Sequence, residues 1–247
     1  MIAALILGRK GSLGLPCKNL YKICGHSLAW YPMDAAKKSK FIDKVFLSTD
    51  DDRLIDIAKG QNVEIIKRPD YLCTAQALSE DAYVHGYREI CSRTKTKPEF
   101  MVLLFCNAVM ILPETIDEGI KVLRENSNYD SAVTVSRYNM WSPLRARKIN
   151  KEGLLDPCVK FDLFEEEVKD LNCDRNSQGN VWFADMGISI VRPYNLENIE
   201  DGLLPQKWMG KQIYPLKQEA GLDVDYEWQI PQVEWWIKKN IEFKKNK

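Results

Sequence analysis

Uniformly apolar runs alternate with helix-period stretches along this chain. Ile2–Leu7 is six consecutive apolar residues ending at Gly8 and a Gly/Ser/Pro-rich stretch, the pattern of a strand covered on both faces that runs into a loop. Leu28, Tyr31, Ala35 and Ala36 share one face of a helix predicted over residues 27–39. Residues 44–48 predict a second strand, and the run Thr49-Asp50-Asp51-Asp52 ends it and caps a helix over 53–59. A third strand over 63–66, a helix over 79–91 with Ser79 as N-cap, a fourth strand at Phe100–Phe105, a helix at Pro113–Glu125 and a strand over 131–136 follow. Residues 141–183 are less regular and more polar, as in an inserted arm. A strand returns over 186–191, and residues 233–247 predict an amphipathic helix with Trp235, Trp236 and Ile237.

Strands and helices alternating at this spacing predict an α/β fold, its mostly parallel central sheet flanked by helices. No internal repeat or low-complexity linker divides the chain, so a single domain over 1–247 is expected. In such folds ligands sit beyond the carboxyl ends of the strands. That rule points to the loops at 8–19, 49–52 and 106–112.

Composition narrows the function. The chain balances 35 basic against 35 acidic residues, unlike a nucleic-acid binder, which neutralises phosphates with a basic excess. Any phosphate site must be a local pocket. Seven cysteines, an odd number with no CxxC pair, fit neither a disulfide framework nor a zinc knuckle and predict reduced thiols in a cytoplasmic protein. The six-residue apolar run at the start is too short for a signal core or a membrane span.

Two segments carry chemistry on physical grounds. In Gly8-Arg9-Lys10-Gly11-Ser12-Leu13-Gly14-Leu15-Pro16-Cys17-Lys18-Asn19, three glycines let the backbone approach a ligand, while Arg9, Lys10 and Lys18 supply positive charge. The spacing is neither a P-loop nor a dinucleotide fingerprint; a triphosphate suits it, and a solvated basic loop is the alternative. In Gly221-Leu222-Asp223-Val224-Asp225 an apolar residue separates two carboxylates, so both project to one face of an extended stretch. Paired carboxylates repel unless a cation or proton lies between them, and hard oxygen ligands suit Mg²⁺. Asp223 and Asp225 are therefore the candidate metal ligands.

The loop resembles the ARGGSKxLPxKN segment of the cytidylyltransferases that make CMP-sialic acid, CMP-legionaminic acid and related CMP-sugars, with the CMP-Kdo synthetases as more distant relatives. Arg9, Gly11, Ser12, Leu15, Pro16, Lys18 and Asn19 match it. Leu47-Ser48-Thr49-Asp50-Asp51 is similar to the family's VSTDD, Arg68-Pro69 through Leu72 to its RPxxLA, and the Asp-x-Asp element to its metal-holding aspartates. The resemblance implies a Rossmann-like nucleotidyltransferase fold. It also implies an enzyme that transfers CMP from CTP to an acidic sugar, a nonulosonic or octulosonic acid, and releases pyrophosphate. By the same resemblance Arg9, Lys10, Gly11, Ser12, Lys18 and Asn19 hold CTP together with Arg68, Ser79 and Asn107, and Arg9, Lys18 and Asp225 carry catalysis. The partners implied are CTP, Mg²⁺, an acidic acceptor and a second copy of the chain, joined through 141–183, with neither nucleic acid nor membrane.

Departures sit at functional positions. Lys10 replaces a glycine, Leu13 stands where the family has a lysine, and Asn107 stands where the CMP-Kdo enzymes have a metal aspartate. The glutamine that meets the sugar is absent from Phe105-Cys106-Asn107-Ala108-Val109. Arg145, Arg147 and Lys148 form a basic cluster suited to a carboxylate or phosphonate, and with Asp185 they are the candidate acceptor residues. Two rival readings follow: a cytidylyltransferase acting on a phosphonate or other small acid, and a non-catalytic nucleotide-binding homologue.

Overall fold

The computed structural model describes all residues except 12–13, 139–140, 162–169 and 243–247. Its centre is a seven-stranded sheet. Strands β1 (Ile2–Leu7), β4 (Lys44–Thr49), β5 (Glu64–Lys67), β6 (Phe100–Phe105), β7 (Ser131–Arg137), β10 (Trp182–Val191) and β11 (Ile213–Gln218) lie in the order β11-β7-β10-β6-β1-β4-β5. Pairing is parallel except at β10, which runs antiparallel to both neighbours, β6 and β7. The α/β expectation holds.

All six residues of β1 are buried, and their alternation assigns them to two cores. Ile2, Ala4 and Ile6 pack with α1 (Trp30–Lys38), α2 (Asp52–Gly60) and α4 (Pro113–Glu125). Ala3, Leu5 and Leu7 pack with α3 (Ser79–Thr94) and with Trp208. A covered sheet of this kind has no use for a polar face, which is why the strand reads as one apolar run. A third cluster joins Val109, Met110 and Val224 to α6 (Ile230–Ile237), seating the chain's last helix beside the strand ends.

Local chemistry shifts several predicted boundaries. The helix expected from residue 27 begins at Trp30, because Lys22–Ile23 (β2) and His26–Ser27 (β3) form a hairpin. Its two-residue turn, Cys24 and Gly25, has φ of 48° and 84°, the backbone that a tight twisted hairpin demands. Ser79 is the first residue of α3 rather than its cap; Leu78 occupies the cap position without a side-chain hydrogen bond. Strand β11 was not expected, since Pro215 interrupts its sequence; the proline is tolerated because β11 is an edge strand. The helix expected over 233–247 runs over Ile230–Ile237 and continues as a π-helical turn, Lys238–Glu242. Within the expected arm, Arg147–Ile149 (β8) and Leu155–Pro157 (β9) form an exposed hairpin. A short helix, Pro193–Glu197 (α5), leads out of β10.

Gly119 lets α4 approach the sheet closely. A Cβ there would lie 2.5 Å from Ile190 Cδ1 and 2.7 Å from Leu216 Cδ1, both in buried side chains. Overpacking of this kind costs about 1–3 kcal/mol, against about 1 kcal/mol gained in helix propensity. Gly119→Ala is expected to lower stability by roughly 1 kcal/mol in urea denaturation. A more stable variant would show that Ile190 and Leu216 can make room.

Candidate active site

The carboxyl ends of β1 and β6, with Arg68 just beyond β5, open onto a cleft of about 400 Å³. One wall comes from the loop after β1: Gly8, Arg9, Gly14, Lys18 and Asn19. A largely apolar wall follows from Arg68, Leu72, Ala77, Leu78, Ser79, Ala82 and Phe105, and an acidic edge from Asn107, Asp223, Asp225 and Tyr226.

The first loop is drawn tightly onto its neighbours. A Cβ on Gly8 would lie 2.5 Å from Cys106 Sγ, and one on Gly14 would lie 2.3 Å from the Asp225 carbonyl oxygen. Glycine is required at both for steric reasons. The Lys10 amide donates to Asp50 Oδ1 at 2.8 Å, tying the loop to the acidic run after β4. Asp51 caps α2 by accepting from the Arg53 amide and binds the Arg53 guanidinium, whose hydrogen bond holds its carboxyl below the usual carboxylate range. The Asp50–Asp52 run thus braces the loop and the helix rather than lining the cleft.

Asn19 is buried at the cleft. Its amide nitrogen donates to the Arg9 carbonyl at 3.4 Å, while Oδ1 is a buried acceptor with no partner. Such an orphan is rare and calls for a missing donor or cation. Arg68 is also buried; Nη2 donates to the Ser48 carbonyl at 2.8 Å and Nε to Ser48 Oγ at 3.3 Å, and desolvation pulls its pKa down. Its guanidinium therefore fixes the end of β4 as well as facing the apolar wall.

At the acidic edge, Val224 is fully buried and its flanking aspartates both reach the cleft, as the alternation predicts. The Val224 amide donates to the Asn107 carbonyl at 3.0 Å, and Asn107 Nδ2 donates to the Val224 carbonyl at 3.1 Å and to Asp223 Oδ2 at 3.4 Å. Burial, then the nearby Asp225 charge, pushes the Asp223 carboxyl up. Asp225 Oδ1 pairs with the Lys18 ammonium across 207 positions of sequence. Among the described residues, no group of three or more His, Cys, Asp or Glu side chains is arranged to hold a metal ion. Two carboxylates on one edge of the cleft fit a cation such as Mg²⁺, which takes one or two protein carboxylates and completes its shell with phosphate and water.

Arg9, Lys18, Asn19, Arg68, Ser79, Asn107, Asp223 and Asp225 thus converge on one cleft. Lys10 and Gly11 do not line it; Gly11, at φ 79°, accepts from Arg9 Nη1 at 3.4 Å. Ser12 and Leu13 lie outside the described residues. The expected acceptor residues do not join. Arg145 donates to Gln178 Oε1 at 2.9 Å and to the carbonyls of Cys173 and Asp174, so its fork anchors the arm to itself. Arg147 lies over the Phe161 ring, 5.8 Å from its centroid, and Lys148 sits on the exposed β8 hairpin. Asp185 is buried behind the sheet end, its carboxylate already surrounded by donors. Leu72, Ala77, Leu78, Ala82, Phe105 and Tyr226 were missed. The apolar ones carry no chemical signal in sequence, but Tyr226 directly follows Asp225.

The sequence profile of the family described as "Cytidylyltransferase" matches residues 3–178. N-acylneuraminate cytidylyltransferase of Oncorhynchus mykiss is 26% identical over 238 residues, covering 93% of this chain and 49% of that protein. The N-acylneuraminate cytidylyltransferase of Escherichia coli O18:K1:H7 is 29% identical over 138 residues, covering 56% of this chain and 32% of that protein. The chain spans about half the length of the first curated relatives it matches. Among solved structures, a CMP:2-keto-3-deoxy-manno-octonic acid synthetase complexed with CTP superposes with TM-score 0.66 at 16% identity, covering 97% of this chain and 99% of that one. The 4-diphosphocytidyl-2C-methyl-D-erythritol synthase of Anaerococcus prevotii gives 0.63 at 12% identity, covering 96% of both chains, a likeness of fold. With the profile matched over most of this chain's length, the chain belongs to the cytidylyltransferase family.

Proposed function

We propose that this protein transfers CMP from CTP to an acidic sugar, a nonulosonic or octulosonic acid, releasing pyrophosphate. The carrying observation is the cleft itself, where the cations of the first loop and the Asp223–Asp225 pair meet beside a largely apolar wall. The relatives support the acidic sugar: their names include N-acylneuraminate and pseudaminic acid cytidylyltransferases.

In the reaction an acceptor hydroxyl oxygen attacks the α-phosphorus of CTP. The bond to the pyrophosphate oxygen breaks and the hydroxyl proton is lost to solvent or base. Such transfer depends on positioning and on stabilising charge. Arg9 and Lys18 would hold the phosphates, with Lys18 exchanging Asp225 for the nucleotide. Leu72, Leu78, Ala82 and Phe105 would pack the base, and Arg68 and Ser79 lie on that wall to orient its polar edge. Asp223 and Asp225 would hold Mg²⁺, which when bound neutralises phosphate charge and favours the displacement. Asn107 donates to Asp223 and so orients that carboxylate rather than adding a negative ligand.

The seven free cysteines support a reducing, cytoplasmic setting. The exposed apolar residues Ile149, Leu154 and Leu155 on the arm hairpin support a homodimer built through that arm. Pyrophosphate release measured with CTP, Mg²⁺ and a panel of sialic, legionaminic, Kdo and phosphonate acceptors tests the reading. Turnover with one of the sugar acids is expected. Turnover with the phosphonate alone would move the substrate class, and CTP binding with no turnover on any acceptor would favour a non-catalytic homologue.

A further inference from the structure

The reading of Asp223 and Asp225 as metal ligands leaves open what fixes their carboxylates. Among the described residues, the extended stretch that carries them has no strand partner beyond a single bridge from Asp223 to Ala108. Asn107 also holds it through the Val224 amide and carbonyl, and at its start the stretch is anchored at Gly221. A Cβ on that residue would lie 2.4 Å from Gln218 Nε2 and 2.5 Å from both Cγ and Oδ2 of Asp185. The Gly221 carbonyl, in turn, accepts from the Tyr138 hydroxyl at 2.8 Å. Gly221 is therefore held from two sides, two residues before Asp223.

The carboxylate against which Gly221 rests is itself held on all sides. Asp185 is 5% exposed. Its Oδ1 accepts from Thr134 Oγ1 at 2.6 Å and from the Gly187 amide at 3.1 Å. Its Oδ2 accepts from Ser136 Oγ at 2.6 Å and from Gln218 Nε2 at 2.8 Å. A carboxylate has about four lone-pair sites, so no capacity remains for a substrate. Placement follows from the backbone: β10 slips register against β7 between Ala184 and Ser189, and Met186 adopts φ 61°. The bulge turns Asp185 into the sheet end, a known use of such irregularities beside functional sites.

We propose that Asp185 is a positioning residue for the metal aspartates, acting through Gln218 and Gly221, and not an acceptor contact. The buried carboxylate joins β7, β10 and β11 at one point, and the stretch bearing Asp223 and Asp225 leaves the sheet from that point. Groups that orient metal ligands from behind change metal affinity by about 10–100-fold when removed, and the same range is expected here.

The test uses Mn²⁺ in place of Mg²⁺, titrated into the full-length protein with CTP and no acceptor, and follows protein-bound Mn²⁺·CTP by water-proton relaxation. Gly221→Ala and Gln218→Ala are expected to weaken Mn²⁺ binding by about 10-fold or more while CTP affinity without metal stays within about two-fold of the original protein. Asp185→Asn, whose amide can reuse part of the donor set by rotating Thr134, Ser136 and Gln218, should retain more metal affinity than Asp185→Ala. Folded Gly221→Ala and Gln218→Ala proteins with unchanged Mn²⁺ affinity would overturn the positioning role. So would a loss of thermal stability across all four variants without a change in metal affinity. If the unsubstituted protein forms no Mn²⁺·CTP complex, the metal reading of Asp223 and Asp225 falls with it, a result separable from the variant pattern.

Discussion

Asp225→Asn is expected to lower the kcat of CMP transfer by at least about 100-fold, the scale seen when one preorganised electrostatic group is removed from a catalytic site. The change keeps the shape of the side chain and removes its charge. In the ligand-free protein Asp225 pairs with Lys18, and its side chain is 47% exposed. The Lys18 side chain is 18% exposed and Asp225 keeps water access, so the pair adds little to stability and the thermal midpoint should stay near that of the original protein. That separation of rate from stability is what identifies a group acting on the reacting phosphate. Pyrophosphate release at saturating CTP measures it, with Asp223→Asn as the companion. A near-original rate for Asp225→Asn would remove it from the metal role.

Lys18→Met should act on nucleotide binding instead. Its ammonium faces the cleft from the first loop, and a hydrogen bond to a charged group is worth about 1.5–3 kcal/mol, or roughly 10- to 100-fold in affinity. Isothermal titration with CTP at low and high salt is expected to show weaker binding with a shallower salt dependence, because one screened charge contact has gone. Methionine keeps the apolar stem, so the loop beside Gly14 and Asp225 should remain in place. Unchanged CTP affinity would mean that Lys18 serves only to hold Asp225.

How these residues could be read in advance follows from the range of the forces involved. The strand Ile2–Leu7 and its loop were legible because burial on both faces and glycine-dependent close approach leave marks in consecutive residues. The Asp-x-Asp pair was legible for the same reason: a period of two is a local property. Strand β11 was not, since Pro215 is forbidden in a central strand and allowed at an edge, and only the completed sheet decides which applies. Where Arg145 and Asp185 spend their charge was not legible, because charge type says nothing of partners. The first is consumed by carbonyls of its own arm, the second by hydroxyls and amides of three strands. The orphaned Asn19 oxygen had no sequence signal at all, being defined by what fails to reach it.

The Lys18–Asp225 pair joins positions 207 residues apart, and every strand of the central sheet lies between residues 2 and 218. During synthesis the loop after β1 therefore emerges first and waits for its counter-charge. At about 5–20 residues per second the interval is roughly 10–40 seconds. The sheet itself waits almost as long, since β11 ends at Gln218, so sheet and cleft are completed nearly together and nucleotide can recognise the protein only once Asp225 has been made.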